Sequence, residues 1–292
     1  HFPSLRPHII SITNMKVAVV TGIARSSGIG HAICSTLLEN GLAVVGIDKN
    51  VLDPSSVLPA EYPNRFRFRS CSVDDDAGKL RRSLLAALEE LGESCISVVV
   101  NNAGIAYPNM PDVEEQSNMS DEERELNRLE SRLRGYDKYL QNNLRSAFLV
   151  TEVCKPFFPI PRPRDGTTSI PTASIINISS VHAHASESPS SQEGYASAKS
   201  GIIGLTHAQG QSLAGKARVN VILPGWIDTD DVKNTANPSD QAHAWHAVGR
   251  VGKPNDIAEM VAFLADEERS AFVSCQEFVV DGGVSKRMYY PE

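Results

Sequence analysis

Two hydrophobic periods alternate along the chain, and each predicts a different kind of element. Val17 to Val20 is an unbroken β-branched run, the pattern of a strand buried on both faces of a parallel sheet. A glycine-bearing turn follows, after which Ile29 to Asn40 places apolar residues at helical spacing and stops at Gly41. Ala43 to Ile47 is a second buried-strand run, closed by Asp48. The same alternation gives a strand over Arg65 to Val73, a helix over Lys79 to Leu91 stopped by Gly92, and a strand over Ile96 to Val100. A long helix is predicted from about Tyr136 to Phe157, then a strand over Ser174 to Ser179, a helix around Tyr195 and a strand over Arg218 to Leu223. Ile257, Met260, Val261 and Leu264 define a last core-facing helix, to Ala265, before the strand Glu277 to Val280. Regular strand–helix alternation predicts an α/β chain, an open doubly wound parallel sheet flanked by helices.

Two stretches interrupt it. Ser120 and Glu123 form a capping box ahead of Leu126, Leu129 and Leu133, which predicts an inserted surface helix at about 110–135. Residues 159–172 hold four prolines and read as a loop. Met15 stands directly before the first strand, so residues 1–14 are expected to be an extension and 15–292 a single Rossmann-like domain. A length of 292 residues with 41% apolar composition suits that one large domain.

A net charge of −7 and a pI near 5.7, without a Lys/Arg block, argue against nucleic-acid or anionic-membrane partners and for a small-molecule substrate. Five scattered cysteines with no C-x-x-C suggest neither a disulfide framework nor a zinc site, which fits a reduced, cytoplasmic setting. No apolar run approaches the roughly 20 residues that span a bilayer.

The turn from Thr21 to Gly30 joins the first strand to the first helix, where such a sheet holds a dinucleotide. Gly22, Gly28 and Gly30 let the backbone approach a pyrophosphate, and the helix start at Ile29 offers free N–H groups; Arg25 and Ser27 complete the turn. Asp48 closes the next strand where a ribose 2′-OH would lie. It favours NAD(H), while Lys49 and Arg25 keep NADP(H) open. Tyr195 and Lys199 lie four residues apart in a predicted helix and so share a face. A phenol titrates near ~10, and a fixed ammonium beside it favours the phenolate, the property of a general acid/base.

Taken together these motifs resemble the short-chain dehydrogenase/reductase (SDR) family, from about Lys16 to Gly283. The glycine-rich turn looks like the family's cofactor motif. Asn101-Asn102-Ala103-Gly104 is similar to its NNAG segment and Tyr195 to Lys199 to its YxxxK. The resemblance implies Ser180, Tyr195 and Lys199 as catalytic residues, with Asn143 or, alternatively, Asn142 as the active-site asparagine. It implies Asn102, Ala103, Gly104, Pro224, Gly225, Ile227 and Thr229 as cofactor contacts, and Val73 with Ser72 or Asp74 beside the adenine. The departures are a five-residue gap between Gly22 and Gly28, longer than usual, a stretched Ser180-to-Tyr195 connection, and Cys275 where a glycine is common.

The implied reaction is reversible hydride transfer between nicotinamide and a carbonyl or secondary alcohol. Tyr195 would be the general acid/base, Lys199 its tuner, Ser180 the group polarising the substrate oxygen and Asn143 the organiser of a relay water. His182, His184 and Trp226 are candidates for the substrate pocket. The family habit implies a homodimer or homotetramer packed through the helices holding Asn143 and Tyr195. Non-redox chemistry on the same site, or dinucleotide binding without catalysis, are the alternatives. His243 and His246 stand three apart with no further converging ligands, so no metal is expected.

Overall fold

The computed structural model describes residues 15–74, 76–106, 119–160, 173–186, 192–229 and 238–288. The proposed extension 1–14, the start of the inserted helix, most of the proline-rich loop and the C-terminal tail lie outside the described residues.

Seven strands form one parallel sheet in the order β3-β2-β1-β4-β5-β6-β7. They are β1 Val17–Thr21, β2 Ala43–Asp48, β3 Phe66–Ser70, β4 Val98–Asn101, β5 Ala173–Ile178, β6 Ala217–Pro224 and β7 Glu277–Val280. The α-helices are α1 Ile29–Glu39, α2 Leu58–Glu61, α3 Ala77–Leu91, α4 Asp121–Tyr139, α5 Ser146–Cys154, α6 Glu193–Ser212, α7 Asp240–Trp245 and α8 Pro254–Ala265.

The period-two geometry of a strand explains why the central strands β1 and β2 are almost wholly apolar. Val17 and Val19 point into one core with Leu84 and Leu88 of α3 and Val150 and Val153 of α5. Ala18 and Val20, one residue out of phase, point into the opposite core with Ile33 and Leu37 of α1 and Ile257, Val261 and Leu264 of α8. The order reverses between β1 and β4, so the crevice at their C-terminal ends is the topological switch point where α/β sheets take ligands.

One element is longer than the periodicity predicts. The surface helix and the following long helix are a single rod: α4 runs through Gly135 to Tyr139, continues as a π-helical turn over Leu140–Arg145 and enters α5 without a break. Glycine lowers helix propensity but stops a helix only in a left-handed cap. The rod is also backed by α6, whose Gly194 leaves just enough room for Tyr136 and Tyr139. The expected glycine substitute does appear elsewhere. Cys275 is the one non-glycine among the described residues at positive φ (61°), with its Sγ against Gly210, where a Cβ would collide with it.

Candidate active site

The phosphate turn is built by backbone constraints. Gly22 has φ +75° and its N–H donates to Ile47 O at 2.8 Å, while a Cβ on it would lie 2.8 Å from Ala103 Cα. A Cβ on Gly30 would collide with Gly22 O and Asn102 Nδ2, so α1 starts hard against the turn. The NNAG segment locks this arrangement. Asn102 Nδ2 donates to both Thr21 O and Gly22 O at 3.0 Å, and Thr21 Oγ1 accepts from the N–H groups of Asn102 (3.1 Å) and Ala103 (3.0 Å).

The extra length of the turn is braced from outside by the loop after β2. Asp53 N–H donates to Ala24 O at 2.7 Å, and Ser26 Oγ donates to Asp53 Oδ2 at 2.6 Å. Ser55 adds hydrogen bonds to the same carboxylate, and these donors, Ser26 first, hold the Asp53 carboxyl well below the usual carboxylate range. Asp48 accepts from Ala24 N–H and from Asn50 N–H, both at 2.9 Å, and its charge reaches Arg25. Ser27 Oγ donates across the crevice to Thr229 O at 2.9 Å.

The chain suits a dinucleotide at this place. Gly28 is the N-cap of α1, with no side-chain capping bond and no acidic residue in the first turn, so the first N–H groups of a helix start face the crevice uncompensated by the protein's own carboxylates. On the far bank Pro224 ends β6 and Gly225 N–H donates to Val280 O at 3.0 Å. Buried Ile227 is fixed by a bridge to Gly252. Of the residues expected beside an adenine, Val73 is buried and Ser72 Oγ donates to Asp74 Oδ1, so the two alternatives are one linked pair.

Around Tyr195 the elements converge. α6 is pinned to the end of β5 by three bonds: Lys199 Nζ donates to Ile178 O at 3.0 Å, Ser179 Oγ to Lys199 O at 2.7 Å and Ser200 Oγ to Ala183 O at 2.9 Å. Lys199 is 5% exposed, and burial pushes its ammonium down to about 8. Its Nζ lies 5.6 Å from the centroid of the Tyr195 ring. Ser180 accepts at Oγ from His182 N–H at 3.2 Å, and His182 Nδ1 is 3.3 Å from the same oxygen. The His182 ring stands edge-on to Tyr195 with centroids 5.6 Å apart.

Of the adjacent asparagines, Asn143 is the one turned inward, at 1% exposure. Its Oδ1 accepts from Ile105 N–H at 2.9 Å and its Nδ2 donates to Ile105 O and Tyr139 O at 3.1 Å. A Cβ on Gly104 would strike Asn143 Oδ1 and stand 3.6 Å from Lys199 Nζ, so those two groups share one corner. The π-helical turn carries Asn143, a device often found where a helix serves a site. Asn142 bonds back to Lys138 O instead.

Not every pocket candidate joins this cluster. His184 Nε2 is 2.7 Å from Glu277 Oε2 at the sheet edge, whereas Trp226 is exposed with its ring 6.4 Å from that of His246. Thr21, Ser179, Tyr139 and Asp53 were not singled out by spacing. Tyr139 was open to inference, since it precedes Asn143 by one helical turn, and its ring lies 5.9 Å from that of Tyr195. No cluster of three or more metal-type ligands occurs among the described residues.

Comparison with known proteins agrees with this geometry. The family model described as enoyl-(acyl carrier protein) reductase matches residues 22–285. An uncharacterized oxidoreductase of Thermotoga maritima is 32% identical over 95% of this chain and 98% of its own length. The (3R)-3-hydroxyacyl-CoA dehydrogenase of Mus musculus is 31% identical over 92% of this chain and 95% of its own. Among solved structures, an apo SCOR enzyme from Clostridium thermocellum superposes with a TM-score of 0.69 at 32% identity, covering 95% of this chain and 96% of that one. A sheet reversing at β1 and β4, a glycine turn locked by NNAG and a Tyr195–Lys199 pair at the end of β5 thus carry the same assignment as the comparisons: the chain belongs to the short-chain dehydrogenase/reductase family of NAD(P)-linked oxidoreductases.

Proposed function

We propose that the protein interconverts a carbonyl and a secondary alcohol with NAD(H), using Tyr195 as general acid/base. The observation that carries this reading is the placement of Lys199: buried, tied to Ile178 O, with its ammonium 5.6 Å from the Tyr195 ring centroid. A group brought down to about 8 is still mostly cationic at neutral pH, so it stabilises the phenolate that forms when Tyr195 gives up its proton. When bound, the nicotinamide ring supplies or takes up the hydride. Tyr195 Oη delivers the proton to the substrate oxygen in reduction and removes it in oxidation, while Ser180 Oγ–H donates a hydrogen bond to that oxygen. Asn143 holds Ile105, and with it Gly104, against the Lys199 corner, and in the resemblance it also orders a relay water there.

NAD(H) is favoured because two carboxylates stand beside the turn, Asp48 accepting from Ala24 N–H and Asp53 from Ser26 Oγ, with Arg25 and Lys49 as the neighbouring cations. A free 2′-OH finds an acceptor in Asp48, whereas a 2′-phosphate would lie against its carboxylate. The relatives' names span 3-oxoacyl carrier proteins, a hydroxyacyl-CoA and an aldohexose, so the substrate class is assigned as a small carbonyl or hydroxyl compound and no narrower. Five free cysteines suit a reducing, cytoplasmic setting, and no helix among the described residues is long and apolar enough to cross a membrane.

The test is NADH oxidation monitored with a ketone panel. Wild type should turn over at least one member, and Tyr195→Phe should lose about 10²–10⁴-fold in kcat while binding NADH as before. Undiminished turnover by the variant would exclude Tyr195 as the acid/base.

A further inference from the structure

We infer that His182 is a positioning residue that acts through Ser180: its Nδ1–H donates to Ser180 Oγ and thereby directs the serine's own proton at the substrate oxygen. The inference rests on the oxidoreductase reading above and adds a residue to it. The last of the side chains that flank the reacting hydroxyls, His182 is the one that meets both of them, Ser180 through Nδ1 at 3.3 Å and Tyr195 through an edge-on ring contact.

Hydrogen-bond bookkeeping at Ser180 fixes the direction. A serine hydroxyl has one proton and two lone pairs. One lone pair accepts from His182 N–H at 3.2 Å. If the Ser180 proton went to His182 Nδ1, none would remain to polarise the substrate, and the resting serine would be turned away from the reaction. If Nδ1 carries the proton, the second lone pair is filled by His182 and the Ser180 proton has the substrate oxygen as its acceptor. Two donors into one oxygen also strengthen its own O–H as a donor, since hydrogen bonds in a chain polarise one another.

The far side of the ring leaves this choice open to Ser180. A histidine tautomer is normally set by the partner of the other nitrogen, and His182 Nε2 is buried without one among the described residues. His184, two residues on, faces Glu277 instead. The substrate oxygen would then be met by two donors, one on a phenol with Lys199 beside its ring and one on a histidine-backed serine.

The experiment combines a tautomer measurement with rates. Nitrogen NMR of isotope-labelled histidine in the unliganded protein should show the His182 ring protonated at Nδ1; a ring protonated at Nε2 with bare Nδ1 overturns the assignment whether or not a substrate is known. Rates are then taken with NADH and whichever of ethyl acetoacetate, acetoacetyl-CoA, 2,3-butanedione, 1-phenyl-1,2-propanedione and glucose wild type turns over or oxidises fastest with the matching cofactor form. His182→Ala should lower kcat about tenfold, the worth of one hydrogen bond, with NADH affinity unchanged. His182→Asn, whose amide nitrogen falls near Nδ1, should restore most of that loss, and His182→Gln, whose amide reaches toward Nε2, should not. In a Ser180→Ala background His182→Ala should cost nothing further, because its effect passes through the serine. Equal behaviour of Asn and Gln, or full additivity with Ser180→Ala, assigns His182 to packing alone. Absence of turnover by wild type across the panel overturns the oxidoreductase reading itself and removes the inference with it.

Discussion

Lys199 works where the fold is worse for it. In the unfolded chain its ammonium titrates near the ordinary 10.5, and in the folded protein burial brings it to about 8. Between those values the unfolded state binds the extra proton, so folding stability rises with pH from about 8 toward 10.5, and below 8 the burial cost stands in full. Replacing the ammonium by an apolar chain of similar size removes that cost. Lys199→Met is therefore expected to stabilise the protein by on the order of 1–3 kcal/mol at pH 7, after allowing for the lost bond to Ile178 O, while abolishing turnover. Denaturant midpoints of the two proteins should converge as the pH is raised above 8; a less stable variant at pH 7 would contradict the burial argument. Placements that follow from a fixed offset, such as Tyr195 and Lys199 on one helix turn, were legible in the sequence. Choosing Asn143 over Asn142 was not, because neighbours on a helix differ by about 100° in direction and only packing against Ile105 decides which one faces in.

At the level of elements the phosphate turn gives the sharpest contrast. Gly30 has no room for a side chain: its Cβ would meet Gly22 O and Asn102 Nδ2. Gly28 has φ −85°, and a Cβ there would come no closer than 3.2 Å, to Arg25 O. Gly30→Ala should cost about 1–3 kcal/mol and weaken NADH binding, whereas Gly28→Ala should cost under about 1 kcal/mol. Thermal unfolding and NADH titration of the pair check this, and equal effects would contradict the close approach of α1 to the turn. That the turn is lengthened could be counted from the chain. That Asp53 and Ser55 brace it through Ser26 could not, since Ser26 lies 27 and 29 residues from them and nothing in that spacing pairs them. The same reason hid the union of the two helices: Gly135 reads as a stop locally, and it is the fit of Gly194 against Tyr136 and Tyr139 that backs the rod.

For the molecule as a whole, unbroken apolar runs such as Val17 to Val20 were enough to mark strands covered on both faces, because successive residues of such a strand enter opposite cores and both must be apolar. The outer face of the helices is less settled by pattern. Leu126, Leu129 and Leu133 of α4 and Phe148 of α5 are about half exposed, and a shallow cleft of about 780 Å³ lies between Leu140, Leu144, Phe148 and Leu205 with Asp137 and Arg145 on its rim. The dimer or tetramer expected from the family resemblance would bury this patch, with Asp137 and Arg145 of two copies paired across a two-fold axis. Light scattering should give an oligomer for wild type and a smaller species for Phe148→Glu; a monomeric wild type excludes it. The account as a whole depends most on the crevice between β1 and β4 taking a nicotinamide dinucleotide, and fluorescence titration of NADH and NADPH into wild type and Asp48→Ala tests that directly. Tight NADH binding, weaker NADPH binding and a narrowed gap between them in the variant are the predicted result. Binding of neither cofactor would contradict the oxidoreductase reading, and tighter binding of NADPH by wild type would contradict the role given to Asp48.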